Sequence, residues 1–123
     1  MKTSELTGAA LDWAVAKCEG VTEHSMGHWK LPILEACTAY QYSPSTKWAQ
    51  GGPIIEREKI ALDFYPGGWH EEGVEWLANI NPTTVDLDIP LYEALGPTPL
   101  ISAMRCYVAS KLGDEVTVPE ELT

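Results

Sequence analysis

The sequence has no long apolar run, few cysteines, few basic residues and a single phenylalanine, and each shortage removes a class of protein. No stretch approaches the roughly 18 consecutive apolar residues that a membrane-spanning helix needs. The N-terminal "MKTSELTGAALDWAVAK" opens with one lysine and then sets acidic residues into its apolar pattern, so it fails as a secretory signal. Three cysteines, Cys18, Cys37 and Cys106, are odd in number and irregular in spacing, which argues against a disulfide framework and for a reducing compartment. A soluble, cytoplasmic chain is the expectation. Only eight Lys and Arg stand against eighteen Asp and Glu, and the formal charge of −10 repels phosphate backbones and anionic membrane faces. Nucleic acid and membrane are therefore not expected partners. An acidic surface suits a basic protein partner or imitation of DNA, although acidity for solubility alone is the plainer reading.

What is present points to one folded unit. With 45% hydrophobic and 21% charged residues the composition is that of a globular protein, and 123 residues bury about two-thirds of the extended chain's surface without disulfide or metal staples. In "LTGAALDWAVAKCEG" Leu11, Ala14, Val15 and Cys18 recur at helical offsets, with Thr7 as a cap and Gly20 as a stop, predicting a helix over 8–18. Leu6, in a short segment that could be extended, is expected beneath it. In "GPTPLISAMRCYVASKLGDE" Thr98 is an N-cap, Pro99 occupies the first helical position and Gly113 ends a helix over 99–112. Leu100, Met104, Tyr107, Val108 and Leu112 form its apolar face.

Between these helices the period changes to two. Ile60, Leu62 and Phe64 alternate, as do Val74, Trp76, Ala78 and Ile80, predicting two paired strands joined through "PGGWHEEG". Val85, Leu87 and Ile89 alternate again, with Pro90 restricting that run to an edge or a strand end. The fold expected is a single α+β domain over 1–123, its two main helices packed on a small, mainly antiparallel sheet, with 114–123 an acidic tail that frays. A symmetric homo-oligomer, formed through an edge strand or the tryptophan-bearing loops, is compatible with this fold.

The stretch "SPSTKWAQGGPIIERE", residues 43–58, reads as neither helix nor ordinary strand. Ser43-Pro44 starts a turn, Ser45 or Thr46 caps one helical turn carrying Trp48, Gly51 and Gly52 permit positive φ or close backbone approach, and Pro53 leads into a strand-like "IIE". Connections of this length are usually functional or packed by their own side chains. Together with "ELTGAALDWAVAKCEG" and "GPTPLISAMRCYVASKLGDEV", this stretch resembles the NinX-like phage proteins, a family of small bacteriophage proteins of unknown function. The resemblance covers both ends and the centre of the chain. It implies a phage or prophage accessory protein acting in the cytoplasm of an infected bacterium, by analogy one that antagonises host defence, and it carries over no catalytic residue.

Several constellations were weighed for chemistry. Cys18, His24, His28 and Cys37 match no ordinary zinc spacing, and two loop histidines with two buried thiols is the preferred reading. Glu56 and Glu58 on one side of a strand, with Arg57 on the other, could serve as general acid and base, yet no nucleophile or metal accompanies them, and a solvated face is preferred. Asp86 and Asp88 repeat that pattern with less support. There is no phosphate-binding glycine signature and no nucleophile elbow, so neither a catalytic residue, a metal nor a cofactor is expected. Five tryptophans and five tyrosines accompany one phenylalanine, a bias toward side chains that combine apolar area with a polar handle. Trp13 and Trp76 are assigned to the core, and Trp48 and Trp69 to binding or structural roles in glycine-rich loops. A nucleobase stacked on Trp48 or Trp69, with Ser43, Ser45, Thr46, Gln50, the N–H groups of Gly51 and Gly52, and Arg57 serving ribose or phosphate, gives a concrete expectation: a non-enzymatic protein that binds a small nucleotide-like ligand. The alternatives are an antagonist that binds a host protein through its acidic surface and, third, a small nucleotide hydrolase using Glu56 and Glu58.

Overall fold

A computed structural model of the chain describes residues 1–20, 43–65, 75–80 and 92–118, together with two short strands at 23–25 and 28–30. The chain begins with a 3-10 turn, Thr3–Glu5, followed by α1 (Gly8–Glu19), a ribbon of β1 (Glu23–Ser25) and β2 (His28–Lys30), α2 (Trp48–Glu58), β3 (Ala61–Phe64), β4 (Trp76–Ile80), β5 (Tyr92–Gly96) and α3 (Pro99–Leu112). This is a small α+β domain, as the changes of period imply.

The third helix is the axis of the fold. Residues 102–108 are buried without interruption, two full turns, because α3 packs against α1, α2, β4 and β5 together. Its ends follow the sequence grammar: Thr98 is extended and its side chain accepts a hydrogen bond from the Ile101 N–H at 3.1 Å, Pro99 stands in the first turn, and the Gly113 N–H closes on Ala109 O. Thr98→Ala should lower stability by about 1 kcal/mol in urea unfolding, the ordinary cost of losing such a cap.

The sheet is antiparallel in the order β3-β4-β5, with Leu62 opposite Ala78 and Ala78 opposite Ala94. Small residues set its distance from α3. Ala78 and Ala94 are buried directly opposite each other, and a Cβ on Gly96 would come within 2.8 Å of the Ser102 backbone nitrogen. Two alanines and a glycine therefore let α3 lie close on the sheet, and Leu6, Leu11, Val15, Met104, Tyr107 and Val108 fill the core on the helical side. Trp13 and Trp76 are half-buried at the margins, Trp13 packed on the core with Lys17 over its ring and Trp76 beside Phe64 with ring centroids 5.1 Å apart.

Four expectations change. The segment before α1 is a 3-10 turn rather than extended, although Leu6 is fully buried as expected. Thr7 is extended at the start of α1 but makes no side-chain cap bond. His24 and His28 fall in the β1–β2 ribbon rather than in a loop or a helical turn. The C-terminal segment does not fray at residue 114: Thr3 donates to Asp114 O, and Met1 and Val116 exchange backbone hydrogen bonds, so the two chain ends form a short ribbon. Cys37, Trp69, Val74, the run from Val85 to Ile89 with Asp86 and Asp88, Pro90 and residues 119–123 lie outside the described residues. The strand β5 that follows Pro90 was not anticipated.

Candidate functional site

The largest correction falls on residues 43–58. Ser43 to Lys47 form a turn in which the Thr46 and Lys47 N–H groups both reach Ser43 O, and Trp48–Glu58 is then a continuous helix containing both glycines and Pro53. Neither Ser45 nor Thr46 caps it. Lys47 stands at the N-cap without a side-chain bond, and Gln50 reaches back from the first turn to accept the Ser43 N–H. The glycines do not use positive φ. Gly51 is needed for close approach instead: a Cβ there would collide with the carbonyl oxygen of Pro44 and lie 2.6 Å from Leu100 Cδ2. A helix wins over the local glycine and proline bias because Gly51 and Ile54, three residues apart, are buried on one face against the rest of the fold. At the other end Lys59 adopts the left-handed conformation at φ 55°, and Ile60 N–H returns to Ile55 O.

This geometry divides the nine residues singled out from the sequence. Ser45, Thr46 and Trp48 line a shallow groove of about 230 Å³ whose opposite wall is the first turn of α3, Thr98 to Ile101. Trp48 is 55% exposed, an unusual state for an indole in so small a domain. Ser45 is buried: its N–H donates to Asp12 Oδ1 at 2.9 Å, and its hydroxyl oxygen makes no hydrogen bond among the described residues. Burial raises the Asp12 carboxyl above its ordinary value, and the Ser45 hydroxyl and N–H oppose that rise. The Ser45 hydroxyl therefore lies near the Asp12 carboxylate.

The other described members of the set stand elsewhere. Ser43 and Gln50 are occupied with each other, Gly51 is packed under Pro44 and Leu100, and Gly52 has open space around its Cα. Arg57 lies nine residues from Trp48 along α2, roughly 14 Å of helical rise, and cannot share a small ligand with it. Its guanidinium donates to both carboxylate oxygens of Glu19, at 3.0 and 2.6 Å, to Glu58 at 2.8 Å and to the Tyr107 hydroxyl oxygen at 3.2 Å. Tyr107 in turn donates to Glu19. The cluster ties the ends of α1 and α2 to α3 and raises the guanidinium's pKa through its carboxylate partners.

The strand that would set Glu56 and Glu58 on one side, whether as a solvated face or as an acid and base, is replaced by helix. Two residues apart on a strand they would share a side, whereas two residues apart on a helix they point about 200° apart. Glu58 is committed to Arg57 and Lys111. The described cysteines offer no nucleophile either, since burial pushes the Cys18 thiol up to about 11 and the Cys106 thiol up to about 12.

Sequence reasoning found the tryptophan wall of the groove and missed the other. Thr98 and Pro99 were legible as the start of a helix, but their place beside Trp48 depends on contacts some fifty residues apart. Among the described residues no helix is long and apolar enough to cross a membrane. The family model described as "Bacteriophage P22, NinX" matches residues 2–111, which includes α1, α2, the sheet and nearly all of α3. No curated protein matches the chain.

Proposed function

The chain belongs to the phage NinX family, and from that premise we propose that it is a non-enzymatic accessory protein that binds, and holds, a small nucleotide-like molecule of the infected host in the Trp48 groove. The carrying observation is the half-exposed indole beside a groove whose other wall is the first turn of α3. A base stacks on the indole face, a contact worth about 1–3 kcal/mol. Thr46 and Thr98 supply hydroxyls along the groove, of which Thr46 donates to Ser43 O and Thr98 accepts from Ile101. With Arg57 engaged elsewhere, none of the described residues that line the groove is charged, so recognition rests on the base and its sugar while phosphate faces solvent. The small volume suits one nucleoside unit; larger ligands bury most of their surface in pockets of about 300 Å³ or more.

Thermal unfolding against mono-, di- and cyclic nucleotides tests this. A ligand at about a hundred times its dissociation constant adds about 2.7 kcal/mol, several degrees in a domain of this size. The shift should vanish in Trp48→Ala, whose own unfolding temperature stays near that of the parent because the side chain is half in water. No shift with any nucleotide, or a shift that survives Trp48→Ala, refutes the reading.

The formal charge of −10 favours a second reading, capture of a basic host protein by the acidic surface. The two separate by salt: charge-driven capture weakens steeply as ionic strength rises, and stacking in a neutral groove does not.

A further inference from the structure

A second groove, of about 220 Å³, lies on another part of the molecule, between the ribbon of chain ends, β5 and α3. Its floor is Arg105. This residue is 6% exposed, and its guanidinium donates Nε–H to Leu6 O and Nη1–H to Leu95 O, both at 2.8 Å. Both acceptors are neutral carbonyls. The ion pairs among the described residues all belong to the Arg57 and Glu58 cluster, so Arg105 closes none. A buried charge is ordinarily matched by an opposite one, and burial here holds the guanidinium below its ordinary pKa. The buried side-chain atoms without a partner among the described residues are Ser45 Oγ and Asn79 Oδ1. No described residue accepts from Nη2, and Arg105 is one of the residues that line the groove.

The rim carries both signs. Lys2 stands on one side and the carboxylates of Glu93, Asp114 and Glu115 around it, all on exposed residues. A free phosphate or a dicarboxylate reaching Arg105 would pass three carboxylates in a chain of formal charge −10. A simple cation drawn by those carboxylates would meet the buried guanidinium. A ligand that carries one charge of each sign a few bonds apart satisfies both sets, with the remaining guanidinium nitrogen, Nη2, donating to its carboxylate.

We propose that this groove binds a small zwitterion of the amino-acid class, its carboxylate on Nη2 of Arg105 and on Lys2 and its ammonium among Glu93, Asp114 and Glu115. The site is separate from the Trp48 groove and stands or falls without it. Replacing Arg105 would also release the Leu6 and Leu95 carbonyls and risk the fold, so the rim is the place to test.

Isothermal titration of the full chain with glycine and a panel of free L-amino acids, beside acetate, methylammonium and inorganic phosphate, decides it. Saturable one-to-one binding of at least one amino acid is expected, weakened about tenfold by Lys2→Ala combined with Glu93→Gln, with the unfolding temperature unchanged. Binding should persist in Trp48→Ala. Absence of saturable binding by every amino acid, binding of acetate or phosphate as tight as that of the zwitterion, or indifference to the rim variant would each overturn the assignment.

Discussion

Gly51→Ala should destabilise the protein by about 2 kcal/mol or more, whereas the same change at the next residue, Gly52→Ala, should leave stability within about 0.5 kcal/mol of the parent. Both glycines sit inside α2 with ordinary helical backbone, so alanine removes the same entropic handicap at each. At Gly52 the added methyl group meets nothing beyond its chain neighbours, but Pro53 follows, and its ring disfavours helical backbone at a preceding residue that carries a Cβ, which offsets the gain in helix propensity. At Gly51 the methyl group meets the Pro44 carbonyl oxygen and, at 2.6 Å, Leu100 Cδ2. The leucine can turn aside, but a backbone oxygen in a turn pinned by Ser43, Lys47 and Gln50 cannot. Urea unfolding of the two variants measures the contrast. Equal stability of both variants would mean that α2 does not press on that turn and on α3.

The second large effect is expected at Glu19. Glu19→Gln should cost about 2 kcal/mol near neutral pH, because it strips the charge from an acceptor shared by Arg57 and Tyr107. The figure allows for the half-exposed Arg57 side chain, whose share is screened by water, and rests mainly on the buried Tyr107 hydroxyl. Burial alone would raise the Glu19 carboxyl, yet the hydrogen bonds from Arg57 and Tyr107 outweigh it and hold the group below its ordinary value. A carboxyl whose pKa is lower folded than unfolded adds stability above the unfolded value, and the gain is lost as pH falls through the folded one. The gap between parent and Glu19→Gln should therefore be full at pH 7, begin to narrow near about pH 4.3 and close below that. A gap that stays constant down to pH 2 would show that the carboxylate's charge is not what holds the three helices together there. Tyr107→Phe should reproduce part of the loss at neutral pH, since the same carboxylate then loses its buried donor.

How much was legible in advance varies from element to element for physical reasons. Helix α3 was read to the residue because Thr98, Pro99 and Gly113 are local signals whose chemistry acts within one turn. The pairing of β3 with β4 was likewise legible, since alternation over four or five residues reports a half-buried strand wherever it lies. The stretch from Trp48 to Glu58 misled for the complementary reason. Two glycines and a proline in six residues carry a strong local bias against a helix, and that bias is overruled by burial of Gly51 against Pro44 and Leu100 and of Ile54 in the core. With the helix in place, Arg57 leaves the candidate site for a clamp with Glu19, and Glu56 and Glu58 separate.

By itself the sequence determined the class of fold, the acidic charge, the ends of α3, the paired strands and the family. It also marked Trp48 and its hydroxyl neighbours as the residues to examine, because an indole among small polar residues is visible in the chain. Only the tertiary structure decided which residues share a surface with that indole. Trp48 faces Thr98 to Ile101, while Arg105 reaches from α3 to Leu6 and Leu95 and floors a second groove beneath the joined chain ends. Such meetings join segments tens of residues apart, and local propensity carries no term for them; they are set by how helices and sheet bury their faces together.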